Sequence, residues 1–199
     1  MSTPESPKST RESILEAAAR VVRERGTGVT LEGVADAAGL SRQTVYVHFG
    51  SRSGLLIAMV QHMDETGMLH ALLHRVFDAR TALEALDAVA NVHAEYHPVA
   101  YPVARVLMAG RHHDDAIKAA WEERMASRRN LYREVIGRLQ GDGLLLRSWD
   151  IETATDVLWS LTSWQLWEDL VVGRGWSKAD YLRHMRMLLR RLLVEVEKA

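Results

Sequence analysis

Apolar residues recur every three or four positions in each long segment of the chain, and no pair of segments indicates a β-hairpin. The pattern therefore predicts an all-α fold of about nine helices. The first helix is predicted from about Thr10 to Arg25, and Gly26 ends it. Residues 1–9 are rich in Ser, Pro and Thr, and we expect them to be disordered.

Two short helices follow, and together they form a helix-turn-helix pattern. Thr30 and Ser41 are good N-caps, because their hydroxyls can accept a hydrogen bond from a first-turn amide. Gly39 lies where a left-handed residue would end the first of the two helices. A helix, a three-residue turn with Gly and a second, polar helix are typical of this motif.

The stretch Leu40–Phe49 predicts a helix with one buried side and one donor-rich side. Val45 and Phe49 are one turn apart and can both point into a core. The other side carries amide, hydroxyl and cationic groups, which can bond base edges or phosphates in the major groove of DNA. The residues on this side are Arg42, Gln43, Thr44, Tyr46 and His48.

This region resembles the N-terminal domain of the TetR family of transcriptional regulators. The matching segments are Thr30–Ala35, Ala38–Ser41, Thr44–Phe49 and Ser51–Leu56. The rest of the chain is similar to the family only in length and helical character. The resemblance implies an N-terminal three-helix helix-turn-helix domain over residues 1–54. It also implies a larger helical domain for effector binding and dimerisation over residues 55–199.

The resemblance and the side-chain chemistry assign expected roles on DNA. We expect Arg42, Gln43 and Thr44 to read bases. Phosphate contacts are expected from Thr30, Ser41, Tyr46 and Arg52, and His48 could do either or simply pack.

The start of the fourth helix departs from the family pattern. Ser51 is its predicted cap, and Arg52 stands where the family usually has Lys. Ser53 and Gly54 replace the one or two acidic residues that usually follow. Fewer acidic residues there reduce the electrostatic stabilisation of the helix start.

The remaining segments predict six helices, counting the fourth. Pro98 and Pro102 predict a break between helices 5 and 6. The predicted elements are a helix 4 that continues towards residue 77 with a break near Gly67, helix 5 over 81–97, a short helix 6 ending near 110, helix 7 over 114–140, helix 8 over 150–172 and helix 9 over 178–197.

Helices 8 and 9 are candidates for pairing with a second copy. Helix 8 is apolar on several sides and therefore needs cover on several sides, which a single fold could also provide. The resemblance implies a homodimer through helices 8 and 9, with two recognition helices about 34–36 Å apart on a palindromic operator. The apolar seam predicted on helix 9 consists of Leu182, Met185, Leu189, Leu192 and Val196.

Aromatic residues and methionines favour an apolar ligand site in the larger domain. Any single Trp is more simply explained by packing, but the resemblance implies a cavity among helices 4 to 8. Methionines would suit an adaptable pocket, so we expect a small hydrophobic or aromatic effector with few polar groups. The candidates, chosen from helix facing, are His93, His97, Trp121, Met125, Trp159 and Trp167.

Composition narrows the choice of partner and compartment. The net charge is −1, so any affinity for DNA must come from local placement of cations. There is no Cys, and we expect a cytoplasmic protein without disulfides. No apolar run approaches the length of a membrane span, so no membrane association is expected.

A helical metal-binding enzyme is the rival class. His93 and His97 could share a metal on one helix face, and His112–Asp115 could add ligands. Such a site would need three or four convergent ligands, or Glu-x-x-His pairs on facing helices, and the sequence has no such pair. We therefore expect no catalytic residue, metal or cofactor. Helical charge pairing explains Glu122, Glu123, Arg124, Arg128 and Arg129 as a solvated face.

The hypothesis is a homodimeric, ligand-responsive repressor that binds a palindromic double-stranded DNA operator and is released by its effector. The alternative is a similar DNA-binding protein without a small effector, which works through a protein partner.

Overall fold

The structure, a computed structural model, describes residues 9–195 and confirms the all-α prediction. Within these residues there is no β-strand, only an isolated bridge between Leu145 and Val194. The helices are α1 (Thr10–Arg25), α2 (Leu31–Ala38), α3 (Arg42–Phe49), α4 (Arg52–Thr66), α5 (Met68–Phe77), α6 (Ala82–Gly110), α7 (Asp115–Gly141), α8 (Ile151–Leu161), α9 (Trp164–Trp167) and α10 (Lys178–Leu193).

The chain divides into two compact units. The first comprises the chain up to Thr66 together with Pro102–Trp121. The second comprises Gly67–Tyr101 and the chain from Glu122 onwards. The predicted disorder of residues 1–8, and Val196 of the predicted helix 9 seam, lie outside the described residues.

The core of the first unit is built around α1 and closed by α2, α3 and α4. Ile14, Val34, Val45 and Leu55, one from each of these helices, are completely buried. The predicted bounds of α1 are confirmed, and Ser9 and Glu12 form a capping box at its start. This core holds α2 and α3 in place, so the polar side of α3 is left for other contacts.

The predicted break between helices 5 and 6 was wrong. The helix α6 continues through Pro98 and Pro102, where a break was predicted. A proline can kink a helix without ending it, and buried Tyr96 and Ala100 hold the backbone on either side of the exposed Pro98. By contrast, the break predicted near Gly67 is confirmed, since Gly67 is the N-cap of α5.

The predicted helix 8 is interrupted at Thr162 and Ser163. The Thr162 hydroxyl donates to the Leu158 carbonyl oxygen at 2.7 Å, which satisfies a carbonyl at the end of α8. Ser163 then caps α9 by accepting from the Leu166 amide at 3.2 Å. A π-helical turn, Glu168–Gly173, continues α9.

In the second unit, polar side chains link α6 and α10 in antiparallel order. Lys178 pairs with Glu95 at 2.8 Å, and Arg190 pairs with Asp87 at 2.6 Å. Between them, Arg186 donates to Asn91 Oδ1 at 3.0 Å.

The buried stripe of α10 differs from the predicted seam. It consists of Tyr181, Met185, Leu189 and Leu193, which lie in the core of the second unit. Met185 and Leu189 therefore already have a place within one chain, whereas Leu192 is 39% exposed. In the part of the chain that is described, no helix combines the length and apolar character needed to cross a membrane.

Candidate DNA-binding surface and effector site

Local backbone hydrogen bonds set the angle between α2 and α3. Gly39 is left-handed, with φ of 68°, and its amide donates to Asp36 O at 3.2 Å. The Leu40 amide donates to Ala35 O at 2.9 Å, which completes a Schellman motif. Ser41 then starts α3, as its hydroxyl accepts from the Thr44 amide at 3.0 Å.

The outer side of α3 carries most of the predicted DNA-binding residues. Arg42, Gln43 and His48 are exposed, and Tyr46 is 52% exposed. Thr44 is half-buried, and its hydroxyl lies 2.9 Å from that of Ser41. Side chains with these donors and acceptors can bond base edges and phosphates if a duplex lies against α3.

The hydroxyls of Thr30 and Ser41 are already used as helix caps. Thr30 Oγ1 accepts from the Gly33 amide at 3.0 Å, and Ser41 does the same for Thr44. Both residues are exposed, so each hydroxyl can still donate to an anion while it accepts from the backbone.

The guanidinium of Arg52 joins α4 to the segment before α2. Its Nε donates to Val29 O at 2.8 Å, and Nη2 donates to Thr27 O at 2.9 Å. These two bonds fix the loop that leads into the Thr30 cap. Arg52 is half-buried, and Nη1 is the guanidinium nitrogen without a bond to these carbonyls.

Close packing explains why Gly54 stands where the family usually has a larger residue. A Cβ atom at this position would lie 2.2 Å from the Phe49 carbonyl oxygen. The backbone of α4 approaches the end of α3 too closely for any side chain. Next to it, the Ser53 hydroxyl donates to the Asp114 carboxylate.

A chain of hydrogen bonds runs through the interior of the second unit. His93 Nδ1 lies 2.8 Å from His97 Nε2, and His93 Nε2 lies 2.6 Å from the Tyr132 hydroxyl. The Thr162 hydroxyl lies 3.2 Å from the same Tyr132 oxygen. Burial lowers the pKa of both His93 and His97 well below the usual value, and the charge of Arg128 lowers both further. Both imidazoles are therefore neutral at neutral pH.

Aromatic rings cover one side of this histidine pair. The His97 ring stacks on Trp164, with centroids 3.8 Å apart and planes 20° apart. Trp167 meets His97 edge-on at 5.8 Å. Tyr101 packs against Trp167 at 4.9 Å and donates its hydroxyl to Glu168.

Arg128 lies near the same histidine pair and contacts the end of α8. Its guanidinium lies 4.8 Å from the Trp159 ring centroid and 5.7 Å from that of Tyr132. The Nη atoms donate to Trp159 O at 3.3 Å and Thr162 O at 3.4 Å. We call the following residues the polar cluster: His93, His97, Arg128, Tyr132, Trp159, Thr162 and Tyr181.

Four of the six predicted ligand-site residues therefore lie in or beside the polar cluster, namely His93, His97, Trp159 and Trp167. The other two lie elsewhere in their units. Trp121 packs on the core of the first unit, with Arg111 at 5.1 Å from its ring. Met125 is half-buried in the second unit.

Residues 14–59 match the family described as "Bacterial regulatory proteins, tetR family". Two proteins of Pseudomonas putida are similar to the chain. They are the Probable HTH-type transcriptional regulator ArpR, 34% identical over 88 residues, and the HTH-type transcriptional regulator TtgR, 33% identical over 88 residues. Each alignment covers 44% of this chain and 40% of the relative, so the chain spans less than half of their length.

The chain is similar to TetR-family transcriptional regulators in its N-terminal region. Solved structures of lower identity share its fold. A transcriptional regulator from Saccharomonospora viridis, in complex with choline, has a TM-score of 0.81 at 19% identity, over 94% of this chain and 98% of that one. FadR from Bacillus subtilis, in complex with stearoyl-CoA, has a TM-score of 0.74 at 17% identity, over 89% and 96%. NalD from Pseudomonas aeruginosa has a TM-score of 0.72 at 22% identity, over 94% and 97%.

The proteins that the chain resembles also bear on the question of catalysis. The matched family and both curated relatives are transcriptional regulators, which agrees with the prediction that the chain is not an enzyme. Of the histidines considered as metal ligands, His93 and His97 direct ring nitrogens at each other. Among residues 9–195 no group of three or more His, Cys, Asp or Glu side chains could hold a metal ion.

The position of Arg128 corrects one sequence-based assignment. Helical charge pairing placed it on a solvated face, and its neighbour Arg129 does pair there, with Glu152 at 2.9 Å and Asp156 at 2.8 Å. Arg128 instead points inwards, and burial lowers its pKa. Its spacing of four from Tyr132 on the apolar stripe was the signal that it shares a face with the core.

Val47 is a second residue that sequence reasoning missed. It lies two positions beyond the buried Val45 and therefore projects from the opposite side of α3, with 73% of its surface exposed. An exposed aliphatic side chain beside Gln43 and Tyr46 can contact the methyl group of thymine.

Proposed function

We propose that the chain is a TetR-family transcriptional regulator that acts as a homodimeric repressor. It binds a palindromic double-stranded DNA operator and is released by a small hydrophobic or aromatic effector. The observation that carries the proposal is α3, whose buried Val45 anchors it in a core while its opposite side presents Arg42, Gln43 and Tyr46.

On the operator, α3 lies in the major groove. Arg42, Gln43 and Thr44 read bases, and Val47 contacts a thymine methyl group. Tyr46 and the capping hydroxyls of Thr30 and Ser41 hold phosphates and set the register, with His48 in either role. Arg52 adds a phosphate contact through Nη1 while its other nitrogens brace the Thr30 loop.

Dimerisation uses the C-terminal helices, α8 to α10. Exposed apolar side chains on this part of the chain support the proposal, among them Met187 and Leu192 at 39% each and Val172 at 55%. Burial of such side chains against a second copy is favourable by about 25 cal/mol for each Å² of apolar surface. The two-fold axis then places two copies of α3 one turn of DNA apart.

The effector binds in the second unit beside the polar cluster. The aromatic rings of Trp159 and Trp167 supply apolar contact area, and the His93–His97 pair supplies polar groups. Two solved structures of this fold hold choline and stearoyl-CoA respectively, which supports a ligand-binding role for the helical domain. A coupling of about 1–3 kcal/mol would weaken operator binding several-fold to about a hundredfold.

Selection of bound sequences from a random DNA pool tests the DNA-binding function and the dimer together. The expected result is a palindrome whose half-sites are about 10 base pairs apart from centre to centre. An Arg42→Ala, Tyr46→Phe double variant should lose protection of this operator in footprinting. An Arg147→Ala variant should keep it, since Arg147 is 91% exposed and lies in the second unit.

Gel shifts with candidate effectors test the release step. A compound that binds the protein should lower operator affinity by the same factor by which operator lowers the affinity for the compound. A bound effector that leaves the gel shift unchanged would contradict ligand control and favour a protein partner.

A further inference from the structure

Arg128 is a half-buried cation without an acidic partner. Within residues 9–195, none of the ion pairs involves it, and the groups that counteract the effect of burial on its pKa are the phenols of Tyr132 and Tyr181. Its charge also lowers the pKa of His93 and of His97, and no carboxylate is among the groups that affect the pKa of Arg128 itself. Cations that are withdrawn from water are normally paired.

Hydrogen-bond donors around Arg128 are also unmatched. In the described part of the chain, the buried Nε–H of Arg128 and Nε1–H of Trp159 have no acceptor, and the buried Tyr181 hydroxyl has no partner. Arg and Trp nitrogens can only donate, so an added acceptor would satisfy them, and His97 Nδ1 in the same cluster is also without a partner in the described chain. The Nη bonds of Arg128 to Trp159 O and Thr162 O, at 3.3 and 3.4 Å, are longer than usual for such bonds.

The polar cluster therefore lacks two things, an acceptor and a negative charge, and one group can provide both. We propose that the effector carries a carboxylate, which binds Arg128 and accepts hydrogen bonds from Trp159 Nε1–H and the Tyr181 hydroxyl. Its apolar body lies against the aromatic rings on the His97 side of the cluster. This inference rests on the proposed ligand-responsive function and names the chemical class of its effector.

The position of Arg128 is consistent with ligand entry. Arg128 and Trp159 are half-buried and therefore reach solvent in part, whereas His93, Tyr132 and Thr162 are buried. A planar guanidinium matches the geometry of a carboxylate. The same positive charge would repel a cationic ligand such as a quaternary ammonium compound.

A purely structural role for Arg128 makes a different prediction. Its bonds to the carbonyls at the end of α8 would stabilise that helix end whatever the ligand is. Replacement would then change the stability of the ligand-free protein and affect charged and neutral ligands equally. A comparison of the affinities for a carboxylate and for its neutral amide therefore separates the two roles of Arg128, since only a ligand-binding role predicts tighter binding of the carboxylate.

The test is isothermal titration calorimetry of the full chain, without DNA, at pH 7.5. The probes are 2-naphthoate and decanoate, each compared with its own amide, and choline. We expect at least one carboxylate to bind about tenfold or more tightly than its amide, since hydrogen bonds to charged groups contribute free energies of this order. Choline should not bind.

Variants then test which residues cause the preference for a carboxylate over its amide. Arg128→Gln should remove the preference for the carboxylate, and Arg128→Lys should keep part of it because the charge remains. Arg129→Gln, one position along α7, should keep all of it. Tyr181→Phe should lower the carboxylate affinity and leave ligand-free stability unchanged or higher, which a structural role for the hydroxyl would not produce. Thermal melting of each variant verifies that it is folded.

Three outcomes would overturn the inference. They are the absence of binding by both carboxylates at millimolar concentration, equal affinity for acid and amide, and a preference that survives in Arg128→Gln. A change of oligomeric state in Arg128→Gln, seen by sedimentation, with unaltered ligand preference would instead assign the missing acceptor to a second copy. Because DNA is left out, operator binding can fail or succeed independently of these results.

Discussion

His93 and His97 lie one turn apart on α6, with 2.8 Å between Nδ1 of the first and Nε2 of the second. Both side chains are almost completely buried, at 3% and 2% exposure. This distance is a hydrogen bond between two neutral rings, one of which donates and the other accepts. The packing of α6 therefore depends on both histidines being neutral. His93 also contacts the hydroxyl of Tyr132 on α7, so the same dependence extends to the packing of α6 against α7.

Acidification should destabilise the protein through this pair. The folded-state pKa values of His93 and His97 lie well below the unfolded value of about 6.5, so below that pH the unfolded chain binds more protons. Their stabilisation is complete above about pH 6.5 and falls by about 1.4 kcal/mol per histidine for each pH unit below it. Urea unfolding from pH 7.5 to 5.5, at fixed protein concentration, measures this slope.

His97→Gln should make the slope of this pH dependence about half as steep, because one of two buried histidines is removed. His113→Gln is the matched control, since His113 is exposed. Equal slopes for wild type and His97→Gln would contradict a neutral, buried pair.

Tyr132→Phe should lower the free energy of unfolding by about 1–3 kcal/mol, because it leaves buried His93 Nε2 without its partner. Tyr181→Phe is a matched change with the opposite expectation. The Tyr181 hydroxyl is buried and has no hydrogen-bond partner in the described chain, so its removal should be neutral or stabilising. Urea unfolding of both variants gives the comparison, and a larger loss in Tyr181→Phe would reverse our assignment of the hydrogen bonds.

Gly54→Ala should destabilise the first unit by about 1–3 kcal/mol, because the new Cβ would overlap the Phe49 carbonyl oxygen. Gly137→Ala, in the interior of α7, provides the control. A Cβ there meets nothing within 4 Å, so the change should stabilise the helix by about 0.5–1 kcal/mol. Thermal melting distinguishes the loss of stability expected for Gly54→Ala from the gain expected for Gly137→Ala. A Gly54→Ala variant of unchanged stability would mean that α4 can move away from Phe49.

Arg52→Ala should lower both stability and operator affinity. Loss of its bonds to Val29 O and Thr27 O should cost about 1.5–3 kcal/mol, the usual range for a charged donor, with some reduction because Arg52 is half-buried. The loop before the Thr30 cap would then lose its brace. Arg147→Ala should change neither quantity, and an Arg52→Ala variant of normal stability would show that the brace is dispensable.

Val47→Ala should weaken binding to the selected operator by about 1 kcal/mol without a change in stability, because Val47 is 73% exposed. Val99→Ala, at 54% exposure on α6, is the control for loss of an exposed valine. Fluorescence anisotropy with labelled operator measures the affinity. Identical affinities for Val47→Ala and wild type would remove Val47 from the base-contacting surface.

The sequence by itself was sufficient for the helix-turn-helix geometry. The caps at Thr30 and Ser41 and the left-handed Gly39 act within a few positions along the chain. Such local hydrogen bonds depend on residue type and spacing, which a sequence displays directly. The same holds for α1, whose capping box and C-terminal glycine set both ends.

Only the tertiary structure decided which of two adjacent arginines is buried. Arg128 and Arg129 have the same chemistry, yet one meets the end of α8 and the other meets Glu152 and Asp156. It likewise decided that α6 continues through two prolines and that Met185 and Leu189 pack within one chain. The physical reason is that burial and pairing depend on side chains distant in sequence, and the free energy of those contacts overrides local preference.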